Sequence, residues 1–345
     1  MRIVLLFLLF ITVFEASASN DSLAYEKAYR SINGMLVDSV QPSFKKAVFD
    51  TENAFYGDTL NWDWYQKKIN LIATTATSYA SSNEKNFKYN KKDSNVILLH
   101  ASLFKVLTDT FSMFSIRGEV ALNEPYTYDF NDVFGKKDWA NMFVSKLLTS
   151  KKGNCHSLSY LYKILSEELG VKSYISLAPL HMYIKIHSEE YGMYNTELTN
   201  VSFPMDAWIM SSGYIHTDAI RNSLYMDTLS VQESIAICLF DLAKGYQRKF
   251  GVREGSFMLK CCNTVLKYYP NHVSSLILKS KVLLHQQMNN KKVANVKEGE
   301  VLVDEKYVGV ISTLHRLGYR KMPKEMYLRW MGTSDNNDQL KLFID

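Results

Sequence analysis

The chain has 345 residues, mixed charge with a formal net of +5, and an ordinary share of hydrophobic residues. That is enough for a packed core and two or three domains, and it excludes a disordered or fibrous polymer. Scattered lysines without a recognition motif argue against a nucleic-acid binder, and four cysteines are too few for a disulfide scaffold.

Residues 1–18 carry one early cation, an apolar run from Ile3 to Phe14 and the small residues Ala16-Ser17-Ala18. This reads as a secretory signal peptide cleaved after Ala18. The run is too short to span a bilayer. No cysteine follows the cleavage site, which argues against a bacterial lipoprotein anchor. The chain is therefore expected to be exported, to a periplasmic or extracellular location, with no membrane span.

Residues 19–138 read as an N-terminal helical region, with helical periods from Ser22 to about Ser81 and from Ser94 to Phe114. The run "KNFKYNKK", Lys85 to Lys92, lies between them and reads as a solvated loop. Trp139 to Leu148 forms a further short helix.

The segment 139–228 holds the chemistry. "KKGNCHSLSYLYKILSEELG", Lys151 to Gly170, opens with a turn and then runs apolar at helical spacing. Asn154 is placed as the N-cap, so Cys155 falls in the first helical turn. Leu158, Leu161, Tyr162, Leu165 and Leu169 form the buried stripe, and Gly170 ends the helix. A thiol there meets the positive end of the helix dipole and unpaired N–H groups, which favour the thiolate. The same N–H groups can hold an oxyanion.

After Gly170 the period changes to two. "VKSYISLAPL", "HMYIKIHS" and "YGMYNTELTN" read as an antiparallel strand run. His181, Tyr183, Lys185 and His187 share one face; Met182, Ile184 and Ile186 take the other. A nucleophilic thiol needs an imidazole and a group to orient it. His181 supplies the first. Asn195 on the next strand supplies the second, with Glu197 on the same face as the alternative orienter.

Residues 229–290 return to helix, turn, helix, helix. Leu242, Ala243, Tyr246 and Pro270 sit as in a tetratricopeptide repeat, with the turn "GVREG" making the unit a little long. Residues 291–345 read as a polar linker and a C-terminal extension ending in a helix begun by Pro323. Cys238, Cys261 and Cys262 lie in apolar helical patterns and read as small core residues.

The order of cysteine helix, histidine strand and asparagine strand resembles the transglutaminase-like superfamily, a papain-like fold, in its bacterial branch with tetratricopeptide repeats. "GNCHSLSYLYKILSEELG", "PLHMYIKI" and "YNTELTN" carry the resemblance, with "AWIMSSGYI" and "LFDLAKGYQRKFG" beside them. It covers roughly Trp139 to Leu284. It implies an α+β fold: a cysteine helix on a small antiparallel sheet, flanked by N-terminal helices and a C-terminal helical part. It also implies acyl transfer or hydrolysis on a peptide or amide through Cys155, His181 and Asn195, without cofactor or metal. Animal transglutaminases have Asp where this chain has Asn195; papain-like proteases use Asn.

Blander readings stand beside this one. Cys155 could be a buried or bridged structural cysteine, and His181 a satisfied structural histidine. His156 points elsewhere on its helix and reads as a surface or supporting residue. A zinc site from Cys155, His181 and His187 is disfavoured, because the two histidines lie about 20 Å apart along a strand. The alternative of a different class is an inactive binding module whose cleft and helical repeats hold a peptide or envelope partner.

Overall fold

The computed structural model describes residues 21–114, 120–252, 255–293 and 304–323. The signal reading of residues 1–18, the linker beyond residue 293 and the helix expected from Pro323 lie outside the described residues.

Among the described residues the helices are α1 (21–36), α2 (Phe44–Phe55), α3 (Trp62–Asn83), α4 (Ser94–Thr108), α5 (Val144–Ser150), α6 (Cys155–Glu168), α7 (Asp206–Ser212), α8 (Thr217–Arg221), α9 (Val231–Phe250), α10 (Gly255–Tyr268), α11 (Val273–Val293) and α12 (Glu305–Arg316). The strands are β1 (Phe111–Phe114), β2 (Val120–Asn123), β3 (Thr127–Tyr128), β4 (Lys152–Gly153), β5 (Tyr174–Ala178), β6 (His181–Ser188) and β7 (Gly192–Thr196). The class is α+β, as expected. No helix among the described residues is long and apolar enough to cross a membrane.

The described residues form two compact units: one from those within 21–61 and 231–316, the other from those within 62–230 and 317–323. The helical region expected over 19–138 is therefore divided. Its first part packs with α9, against which α2 lies and to whose Cys238 carbonyl Thr51 donates at 3.1 Å. Its second part, α3 and α4, packs on α6. Helical periodicity marks an apolar face but not the partner that covers it.

In the first unit α10 packs against both α9 and α11. Tyr25, Tyr246 and Phe257 meet ring to ring, with Tyr25–Tyr246 centroids 5.2 Å and Tyr246–Phe257 centroids 4.6 Å apart. Gly255 permits the close approach of α10 to α11, because a Cβ there would come within 2.4 Å of Val282.

The second unit is built around α6. Eleven consecutive residues, His156 to Ser166, are buried, so the helix is enclosed rather than striped. Its buried polar groups are matched. Lys163 Nζ donates to the Ser173 carbonyl at 2.9 Å, and the Tyr162 hydroxyl meets His100 Nδ1 at 3.1 Å. The helix stops at Gly170, whose φ of +70° lets the Val171 N–H reach back to the Ser166 carbonyl at 2.9 Å.

Beside α6 lies the antiparallel sheet β5-β6-β7. Pro179 and Leu180 turn β5 into β6, pairing Ala178 with His181. β6 and β7 pair Lys185 with Asn195 and Ile184 with Thr196. The outer edge of β5 is covered by the chain leading to α9: Met226 and Leu229 N–H donate to the Leu177 and Ile175 carbonyls at 2.8 and 2.9 Å.

Two helical expectations need correction. The stretch expected as helix to Phe114 ends at Thr108 as α4, and Phe111–Phe114 pairs with β2. The cause is distant: the buried Asn123 amide donates to the Val106 and Asp109 carbonyls at 3.0 and 2.8 Å and takes over the helix end. The helix expected over 139–148 breaks at extended Phe143, between a 3-10 turn at Trp139–Met142 and α5.

Candidate active site

The start of α6 is held from one side by the loop 129–142. Parallel pairing of β3 with β4 sets this loop beside the cysteine turn. Asn154, almost fully buried, caps α6: its side-chain oxygen accepts from the His156 and Ser157 N–H groups at 3.1 and 3.3 Å. The Ser157 hydroxyl accepts the Asn154 N–H at 3.1 Å, completing a capping box. The Asn154 amide donates to the Val133 carbonyl at 3.0 Å, and His156 Nδ1 pairs with the Met142 carbonyl at 2.9 Å. His156 is thus buried and structural, not at the surface.

This cap leaves Cys155 as the first helical residue, half-buried and not bridged to another cysteine. The side chains of Cys155 and His181 are hydrogen-bonded, and the Met182 backbone N–H donates to the same sulfur. One turn along α6, the Ser159 hydroxyl donates to the Met182 carbonyl at 3.2 Å. Helix and strand are therefore stitched together at the residue next to His181.

The second nitrogen of His181 is also committed. Nε2 pairs closely with Glu197 Oε2, so Nδ1 is the nitrogen left for the sulfur. Both side chains are 7% exposed. Glu197 is fixed in turn: its Oε1 accepts from the Thr199 N–H and hydroxyl at 3.0 and 2.8 Å. Its backbone exchanges two hydrogen bonds with Ser202, at 2.9 and 3.0 Å.

The side chain that meets the His181 ring is therefore Glu197, not the expected Asn195. Asn195 Nδ2 donates to the Pro204 carbonyl and to Asp206 Oδ1, at 2.9 and 2.7 Å. The reason is register. Asn195 and Glu197 share a face, but Asn195 stands opposite Lys185, four residues along β6 from His181. Continuing that register sets Glu197 opposite Tyr183, one diagonal step from His181 and within side-chain reach. His187, at the far end of β6, is exposed and takes no part.

No family model, curated protein or solved structure matches this chain. What the three residues can do follows from their charge states. Burial pushes the Cys155 thiol up, but the His181 charge, its hydrogen bond and the Met182 N–H outweigh burial and hold the thiol below its ordinary value. Burial pushes His181 down, but the Glu197 carboxylate and the Cys155 sulfur outweigh it and raise the imidazole to about 10. Burial pushes Glu197 up, but His181 and the Thr199 hydrogen bonds hold it below the ordinary carboxylate value. All three shifts favour the thiolate, imidazolium and carboxylate forms of the trio.

Sequence reasoning missed two supports, Ser159 and the Met182 N–H. Neither has a signal in the sequence, since both depend on how α6 lies on β6. Thr199 had one: a hydroxyl residue two positions after an acid is a local turn pattern.

Proposed function

We propose that this chain is an exported cysteine enzyme with a transglutaminase-like, papain-like core, acting on a peptide or amide carbonyl. The observation that carries the reading is the hydrogen-bonded chain from half-buried Cys155 through His181 to buried Glu197. The Cys155 thiolate attacks the carbonyl carbon, forming a C–S bond and moving the π pair to oxygen. The Cys155 N–H, engaged by no acceptor among the described residues, lies at the helix start where that oxyanion develops. The imidazolium of His181 gives its proton to the leaving nitrogen as the C–N bond breaks, leaving a thioester. His181, now neutral, takes a proton from water as the water oxygen attacks. Collapse expels the thiolate and releases the acid. Glu197 stays ionised and holds the ring in place. An amine in place of water would give transamidation.

The test is alkylation by iodoacetamide against pH, together with hydrolysis of activated amides. Rapid labelling of Cys155 at pH 6, lost in His181→Gln, supports the reading. Labelling that rises only near the ordinary thiol value overturns it. A binding module is the second reading, favoured by a groove of about 570 Å³ between α10, α11 and α12, with Leu276, Leu283 and Val310 in its lining and Lys279 and Lys306 beside them.

A further inference from the structure

The loop that holds the start of α6 takes its own shape from one buried acid. Asp132 is 4% exposed, and its carboxylate accepts three successive backbone N–H groups. Oδ1 accepts from Lys136 at 2.7 Å and Lys137 at 3.1 Å; Oδ2 accepts from Lys137 at 3.2 Å and Asp138 at 2.7 Å. The Asp132 carbonyl accepts from the Gly135 N–H and the Asn141 amide, both at 3.1 Å. A carboxylate is costly to bury unless N–H groups surround it, so side chain and loop take their shape together.

That loop bonds to the residues on both sides of the nucleophile. The Asp129 N–H donates to the Gly153 carbonyl at 2.7 Å. The Val133 carbonyl accepts from the Asn154 amide, the Met142 carbonyl pairs with His156, and the Asn141 carbonyl accepts the Ser157 hydroxyl at 2.9 Å. The packing leaves no slack: a Cβ at Gly153 would come within 2.2 Å of Ser157 Oγ. His181 arrives separately, on β6. Sulfur and imidazole thus belong to different elements, and their hydrogen bond lasts only while both elements are held in place.

We propose that Asp132 is a positioning residue for the nucleophile: by folding the loop 129–142 it holds the Cys155 sulfur against the His181 imidazole. This rests on the thiol reading of the site. Asp132 touches no reacting atom. It acts through the Val133, Asn141 and Met142 carbonyls, which shift when the N–H groups of residues 136–138 lose their acceptor. The first turn of α6 then loosens, and the sulfur loses its alignment with the imidazole.

The test is iodoacetamide labelling of Cys155 against pH in Asp132→Asn, at a temperature where circular dichroism shows parent and variant folded. The variant keeps the size of the side chain but sets an amide N–H against backbone N–H groups. Labelling at pH 6 should slow at least about tenfold, and its rise should move to higher pH by about one unit. Leu103→Ala, a cavity on the buried side of α4, is the control for lost stability and should keep the parent's pH profile. A parent-like profile in Asp132→Asn, or an equal shift in Leu103→Ala, overturns the assignment. Should Asp132→Asn not fold, Asn141→Ala is read in its place, since it cuts the amide bond to the Asp132 carbonyl and leaves the carboxylate with its N–H groups. A shifted profile there supports the assignment and an unshifted one overturns it. A parent that fails to label at pH 6 overturns the thiol reading itself, whereas a labelled parent with an unchanged Asp132→Asn variant overturns the role of Asp132 alone.

Discussion

Cys155 and Cys262 are the same residue in opposite surroundings. Cys155 opens a helix, is half-buried and touches an imidazole and a backbone N–H; its thiol is held low even though burial pushes it up. Cys262 sits mid-helix in α10 with no exposure, and burial pushes it up to about 12, beyond what Lys279, Lys244 and Ser275 can offset. Its neighbour Cys261 is also raised well above its ordinary value, again by burial first. Burial thus acts in the same direction at all three. What differs is the imidazole hydrogen-bonded to the Cys155 sulfur, with the Met182 N–H beside it. A thiol becomes a nucleophile when the fold supplies a cation at contact, not because it is exposed.

The sharpest way to break that contrast is alkylation of the native protein. At pH 6, iodoacetamide should modify Cys155 and leave Cys238, Cys261 and Cys262 untouched, read by peptide mass spectrometry. His181→Gln should slow Cys155 at least about a hundredfold. Comparable labelling of the buried three in folded protein would erase the distinction.

The next largest effect separates the two residues that share a strand face. Glu197→Gln should lower turnover about tenfold or more. It should also move the alkaline loss of activity to lower pH, because His181 loses the anion that raises its pKa. Asn195→Ala should stay within about twofold on a minimal substrate. If the Asn195 variant is the damaged one, the register argument fails.

Stability should run opposite to reactivity. Cys262→Ser puts a more strongly hydrated hydroxyl in place of a fully buried thiol and should cost about 1–3 kcal/mol in denaturant unfolding. Cys155→Ser, in a polar setting, should cost less than about 1 kcal/mol.

The smallest effect is a pH dependence of Tm. The raised pKa of His181 contributes stability that is fully present below the unfolded value near 6.5. It is lost as pH rises towards about 10. Across that window the Tm of the wild type should fall towards that of His181→Gln by about 2 °C. A gap that widens with pH would contradict the ion pair.

Much of this site can be read from local pattern. Asn154 as a cap, Cys155 in the first turn, and three short strands after Gly170 all follow from spacing and residue type. Those features depend on neighbours within a few positions. The choice between Asn195 and Glu197 does not, because alternation sets a face while register is set by pairing over the whole hairpin. The end of α4 escaped for the same reason: Asn123, fifteen residues beyond Thr108, supplies the amide that ends it. Periodicity also could not say that α1 and α2 belong with α9 rather than with α3, since an amphipathic helix looks the same whichever partner it meets.

The segment 226–229 on the edge of β5 has a consequence for how the protein behaves at high concentration. A sheet of three short strands offers two open borders, and an open border is a template on which another chain can add. Here the Leu177 and Ile175 carbonyls are already taken by Met226 and Leu229. Recruitment of a second molecule on that side must first peel the chain's own segment away. The sheet that carries His181 is thereby guarded against polymerising along β5, and a cut or substitution at Met226 to Leu229 would expose it to fibril growth.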